Sequence, residues 1–502
     1  CFSSLNCINT IEIESNDVIF DEKCFENCSS LTSINFKDYL IVVNQLKIGE
    51  NCFENCKNIT SFKCKTAKNI TMFSNSFKNC EKLKEFFINN AEKIDLKSNI
   101  LIQNLFLNSI EIKCTELSLE NSFVGFCSNL SSITIQCKNP IQISKSTICN
   151  CKSINIINLI TSSTIEIGNE SFKELSNLKR FNLEGQKITI GDNCFIGNLY
   201  DLDIEIISNQ KDKGIIKSES DIIIGVNSFS GLDLINSIGL SGKVINIKKN
   251  CFNRCKSLNS FNFDSKDLII DEFCFMKCYN LSSISFMNID NAKFLQNAFI
   301  GCEALKEFKL TAISNIEILN NCFKGTKNLQ KIEIWSNQLS IAQNCFENCV
   351  SLKQVKLNSK NSLDLSSECF KGNKSLESIY ITSKNATLGE NCFINSFSEQ
   401  KSNQYVDFKA IELSLKKNCF KNCPYISSFF FNNIKNVIIG QNAFENCIIM
   451  KGLVVKSESS IIVDSNCFRS AQNLNFIIFK CKELTIGDFC FKDCKNITSI
   501  TF

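Results

Sequence analysis

Apolar and polar positions recur along this chain on a fixed frame. The stretch CFMKCYNLSSISF (Cys274 to Phe286) shows it whole. With its first Phe as position 0, Cys stands at −1 and +3, an aliphatic at +6, and apolar residues at +9 and +11. CFENCSSLTSINF (Cys24 to Phe36) and CFKDCKNITSITF (Cys490 to Phe502) repeat it. Apolar +9 and +11 around a mostly polar +10 give the alternation of a half-buried strand. A second strand is expected before each anchor, where LKIGENCF, IEIGNESF and LTIGDFCF carry apolar residues at −7 and −5. Gly and Asn then suit a turn. From −1 to +6 the apolar spacing predicts a short helical or 3₁₀ turn.

Twenty-one anchors run from Phe2 to Phe491, most of them 23 or 24 residues apart. Leu101 and Ile148 are degenerate anchors that keep the frame. Longer spacings place loop insertions near 37–46, 208–221 and 396–404. One such unit cannot bury its own apolar face, whereas stacked units can. The expected fold is a right-handed repeat solenoid with a parallel β-sheet, a column of Phe forming its spine. Residues 1–502 are read as a single solenoid. Its length does not demand several domains, because a solenoid grows without widening its core. The chain starts on an anchor and stops on a strand residue, so it is read as a fragment of a longer chain.

The unit resembles the BspA-type leucine-rich repeat, whose pattern runs IGxxAFxxCxxLxxIxI. VIIGQNAFENC (Val437 to Cys447) and NAFIGCEALKEFKL (Asn297 to Leu310) match it closely, and the resemblance covers the whole chain. Two departures stand out. Cys mostly replaces the Ala before the Phe, and Pro140 and Pro424 are the only prolines. The resemblance implies a leucine-rich-repeat solenoid at a cell surface, adhering to host or matrix proteins or to another cell. Its members occur in mucosa-associated bacteria and anaerobic protists; richness in Ile, Asn and Lys points to the protist branch. An intracellular scaffold of the same fold is the alternative.

Composition narrows the chemistry. The chain has 43 Phe, 31 Cys and no His. Without imidazole there is no Ser-His-Asp or Cys-His catalysis and no His-containing zinc site. No phosphate-binding loop, nucleophile elbow or paired-acid motif stands out. The reading is therefore non-enzymatic, with no catalytic, cofactor or metal residues assigned. A net charge of +4 gives no electrostatic case for nucleic acid. No apolar run approaches the roughly 18 residues of a membrane span, so membrane attachment is expected only through a flank outside this chain. The partner expected is a protein.

Thirteen cysteines fall at −1 and eleven at +3. Buried free thiols packing as small apolar groups are the favoured reading, since Ala298, Ala443, Ser76 and Ser171 also fill −1. Cross-repeat disulfides and a Cys₄ zinc site remain alternatives. Cys7, Cys64, Cys114, Cys137 and Cys481 lie outside both columns. Nine Asn-x-Ser/Thr sequons, among them Asn69 and Asn373, could be glycosylated in a secreted chain, but they arise readily from the frame and carry no weight for localisation.

Function in a solenoid lives on its outward columns. Position +10 is mostly polar until it turns apolar near the C-terminus: Tyr380, then Asp407, Phe430, Val454 and Ile478, joined by Phe476 at +8. Tyr380, Phe430, Val454, Phe476 and Ile478 form the candidate partner-binding patch. The alternative is that a loop or a downstream domain covers it.

Overall fold

A computed structural model describes residues 2–36, 43–65, 67–178, 180–195, 215–232, 235–401, 404–432 and 434–502. Contacts divide the chain into two units, Cys1–Leu258 and Asn259–Phe502. Both are built as the repeat predicts, from parallel strands paired in register. In the first unit Ile133 pairs with Ile110 on one side and Ile157 on the other. In the second, Ile332 and Ile334 pair with Val355 and Leu357. In-register parallel pairing puts each frame position directly over its equivalent, about 4.8 Å away. Every column of the sequence thus becomes a ladder.

The Phe ladder is the spine. Ring centroids of Phe299, Phe323, Phe346, Phe370 and Phe393 follow one another at 4.9 to 5.1 Å, with interplanar angles of 4 to 9°. Phe25, Phe53 and Phe77 stack in the same way in the first unit. Backbone spacing sets this distance, and it falls within the range of favourable offset stacking. Residues at +9 and +11, such as Phe261 and Phe263, close the other side of the core and are fully buried.

The anchor segment departs from expectation. Among the described residues no helix forms there. Positions −2 and +2 hold positive φ, as at Asn344 (56°) and Asn348 (57°) or Asn391 (56°) and Asn395 (58°). Left-handed residues end a helix, and Asn and Gly tolerate that conformation best. Gly301, Gly325 and Gly372 take the +2 place with φ of 67 to 80°. Successive amides then alternate in direction. Asn344, Phe346 and Asn348 donate to carbonyls of the following unit at 2.8 to 3.2 Å, while Glu347 donates back to Asn344 within its own unit. This side of each turn is therefore a second hydrogen-bonded ladder, reinforced by asparagine side chains. Asn446 Nδ2 donates to Asn422 Oδ1 at 2.8 Å and Asn422 Nδ2 to Asn395 Oδ1 at 3.1 Å.

The +3 cysteines have a more specific task than filling space. The thiol of Cys302 donates to the Phe275 carbonyl of the preceding unit at 3.1 Å. Cys56, Cys80, Cys255, Cys349 and Cys423 do the same to their preceding anchors at 3.0 to 3.3 Å. In three of the units that lack Cys at +3, Asn104, Asn373 and Ser396 supply the donor at 2.9 to 3.0 Å, while Leu175, Leu232 and Ala471 leave it out in others. The −1 column is less strict: Ala298 and Ala443 fill it as small apolar groups, while Ser171, Cys194 and Ser228 donate there to backbone carbonyls. At +3 a compact donor recurs. The described cysteines are free thiols, most of them buried.

The insertions are shorter than expected. Residues 37–42 and 208–214 lie outside the described residues. Val43–Ile48 is already a strand, with Leu46 paired to Val18. Ile215–Ser218 and Asp221–Ile224 are strands, not loop. Around 396–404 the ends turn inward instead of bulging out. Ser396, Phe397 and Gln404 are buried, and Gln404 Nε2 donates to the Leu376 and Glu399 carbonyls at 2.7 and 3.0 Å.

Substitution and pH both probe these ladders. Phe346→Ala opens a cavity in a fully buried stack and should cost about 3–5 kcal/mol, read from urea unfolding. Cys302→Ser should retain most stability, because Ser396 already fills this place. Cys302→Ala should lose about 1–2 kcal/mol, since it removes a buried donor; equal stability of the two would show that the thiol hydrogen bond contributes nothing. Stability should also vary with pH. Burial pushes the Cys349 and Cys447 thiols up to about 12 and holds Cys302 and Cys322 higher still. An unfolded thiol ionises near about 8.5. The folded chain thus keeps protons that the unfolded chain releases, so stability is intact below pH ~8.5 and falls as pH rises through ~9 to ~12. Denaturant midpoints at pH 7 and pH 10 in a non-thiol reductant check this.

Candidate partner-binding face

Five strands of the second unit carry the face: β1 (Ser378–Leu388), β2 (Tyr405–Leu415), β3 (Ser428–Asn432), β4 (Gly452–Val463) and β5 (Phe476–Lys480). Alternation turns Phe429, Phe431, Leu453, Val455, Ile477 and Phe479 into the core. The residues between them face outward. Phe430 is 48% exposed and Phe476 40%, while Tyr380, Val454 and Ile478 are half-buried. β1 pairs with β2 and β2 with β3; β4 pairs with β5.

The five residues are not one uninterrupted ladder. Register places Tyr380 against Asp407 and Asp407 against Phe430, so a carboxylate separates the tyrosine from the rest of its column. Asp407 Oδ1 accepts from Asn432 Nδ2 at 2.8 Å. Continuity is restored by Tyr405, one position across on β2. Its hydroxyl meets that of Tyr380, and its ring lies 6.0 Å from Phe430, edge to face. The frame slip after Phe393 hides Tyr405, which stands 12 residues past that anchor and reaches +8 only once the 4 extra residues of this longer unit are subtracted. Hydrogen bonding to Tyr380 pushes the Tyr405 phenol up to about 12.

Phe430, Val454 and Phe476 line a groove of about 560 Å³ together with Asn432, Lys451 and Lys456. Its shape depends on Gly452. The Phe476 ring lies over that glycine, where any Cβ would run into the ring carbons. An adjoining groove of about 460 Å³ is lined by Ile434, Lys456, Glu458, Lys480, Cys481 and Lys482, among others. Ile478 pairs with Val454 on β5 and extends the apolar column. The apolar residues are visible in the frame but the two grooves are not, because ring orientation at Gly452 has no signature there.

Among the described residues, no three His, Cys, Asp or Glu side chains are placed to hold a metal ion, and no helix is long and apolar enough to cross a membrane. Of the cysteines outside the two columns, Cys114 and Cys137 face each other on neighbouring strands with Sγ atoms 3.1 Å apart, and both are buried. Cys7 is exposed and Cys481 half-buried. Asn373 is fully buried, with its Nδ2 donating to the Phe346 and Phe370 carbonyls, so this sequon cannot carry a glycan in the folded chain.

The repeat matches the model of the BspA type leucine rich repeat region over residues 1–123, 97–214, 208–317, 294–412 and 394–502. The chain belongs to the BspA-type leucine-rich-repeat family. No curated protein matches it. Among solved structures it is similar to a leucine-rich repeat protein of Bacteroides ovatus, at 19% identity over 71% of this chain and 86% of that one, with a TM-score of 0.31. A leucine rich cell surface protein of Faecalibacterium prausnitzii is 13% identical over 79% of this chain and 83% of that one, with a TM-score of 0.23. The mouse RP105/MD-1 complex matches at 12% identity, 93% and 90% coverage and a TM-score of 0.24.

Proposed function

We propose that residues 1–502 form one recognition solenoid without catalytic activity, displayed at a cell surface. It binds a protein of a host, of the extracellular matrix or of another cell through the face around Phe430. One observation carries this reading. Phe430 and Phe476 are exposed beside Tyr405, Val454 and Ile478 on a sheet whose outward columns are otherwise largely polar. A contiguous exposed apolar patch of this kind marks an interaction surface more often than chance. Family membership supports the reading, since the repeat supplies a scaffold rather than a reaction centre. The lack of imidazole removes the usual acid–base catalyst.

One feature favours an intracellular scaffold instead. The +3 cysteines donate to backbone carbonyls in the core instead of facing one another, an arrangement suited to a reducing compartment where thiols persist. Surface labelling of intact cells with an antibody to this chain separates the two, because an intracellular scaffold stays unlabelled until the cells are permeabilised.

The face itself is tested with Phe430→Ser combined with Val454→Ser. Both side chains point outward, so far-UV circular dichroism and the melting transition should be those of wild type. Binding to intact cells and to immobilised matrix proteins should fall at least about tenfold. Equal binding by the variant excludes this face, and failure of the wild-type chain to bind any cell or matrix protein excludes adhesion.

A further inference from the structure

The surroundings of the apolar face say what kind of protein it takes. Lys451 and Lys456 line the first groove, and Lys456, Lys480 and Lys482 line the second. All four are exposed. Among the described residues none has a carboxylate within 4 Å. Among the described residues some outward lysines elsewhere do meet carboxylates, whereas Lys309 and Lys409, like these four, do not. Lys331 lies 3.2 Å from Glu307 and 3.5 Å from Glu333, and Lys356 lies 3.5 Å from Glu333. In the first unit Lys63 pairs with Glu85 and Lys113 with Glu111 at 2.9 Å.

The unmatched lysines also stand against one another. Register places Lys456 of β4 directly beside Lys480 of β5. Like charges directly opposed on neighbouring strands repel and destabilise the pair. The acids nearby are few. Glu458 lines the second groove but reaches no lysine within 4 Å, and Asp407 is engaged by Asn432. The face is therefore an apolar centre with an uncompensated positive rim.

We propose that it takes an acidic protein segment whose carboxylates meet Lys451, Lys456, Lys480 and Lys482 while its bulky apolar side chains enter beside Phe430, Val454 and Phe476. The inference rests on the reading of this face as a binding surface. An incoming carboxylate relieves the Lys456–Lys480 repulsion, which gives the partner's charge a role in affinity as well as in steering. A sulfated glycan would satisfy the rim and leave Phe430 and Phe476 in water. A protein segment satisfies both.

Two synthetic peptides with one Phe-Leu-Phe core test it, one flanked by glutamates and the other by lysines, titrated against the full chain. The glutamate peptide should bind about tenfold more tightly at low salt, and that advantage should shrink toward 0.5 M salt, roughly, as screening grows. Lys456→Glu with Lys480→Glu should invert the preference, and Lys456→Gln with Lys480→Gln should abolish it. Circular dichroism confirms that these exposed substitutions leave the fold unchanged. Equal affinity for the two peptides, lost in Phe430→Ser/Val454→Ser, overturns the acidic partner and leaves the face standing as a binding surface. Binding that ignores Phe430→Ser/Val454→Ser overturns both. Polyglutamate or heparin binding as tightly as the glutamate peptide assigns the rim to a bare polyanion and overturns the proposal, as does absence of binding by both peptides.

Discussion

In-register parallel pairing is the constraint on which everything else depends. Because each strand sits directly over its equivalent, a residue chosen at one frame position meets the same kind of residue above and below. For Phe that meeting is favourable and builds the spine. For Asn at −2 and +2 it builds side-chain ladders such as Asn446–Asn422–Asn395. For Cys at +3 it brings a small donor under the carbonyl of the preceding anchor. For charge it is unfavourable unless signs alternate. Lys331 beside Glu307 obeys that rule, and Lys456 beside Lys480 breaks it. The break falls beside the exposed rings of Phe430 and Phe476.

The same pairing explains why so much cysteine coexists with so little thiol chemistry. A buried Cys in a ladder is desolvated, and desolvation disfavours the thiolate that would be the nucleophile or metal ligand. Cys447 donates to the Phe420 carbonyl at 3.4 Å and is fully buried. It behaves as a compact hydrogen-bonding apolar residue. The cost appears at high pH, where the unfolded chain gains by ionising what the fold keeps protonated.

The anchor segments show where a periodic pattern misleads. Apolar residues at −1, 0, +3 and +6 have helical spacing, yet the backbone alternates hands and donates every second amide to the neighbouring unit. Spacing records which side chains point inward. It does not record which carbonyl each amide reaches, and here the stacked neighbour competes successfully with the turn's own residues. The 396–404 segment misleads in the opposite way. Its polar composition reads as an outward loop, but Gln404 is buried because two backbone carbonyls accept from its amide.

The repeat, the strand alternation, the Phe spine and the family are all legible in the residues alone, because each depends on one residue type recurring at one position. Phe430, Val454, Phe476 and Ile478 are legible in the same way, since an apolar residue in a polar column is visible without coordinates. How these become a surface depends on the folded neighbours. The fold set Asp407 between Tyr380 and Phe430, brought Tyr405 in after the frame slip, and laid the Phe476 ring over Gly452. It also showed that Lys456 and Lys480 stand together without a counter-charge. These are relations between neighbouring units, fixed by register and ring orientation, and neither is written in the residues of a single unit.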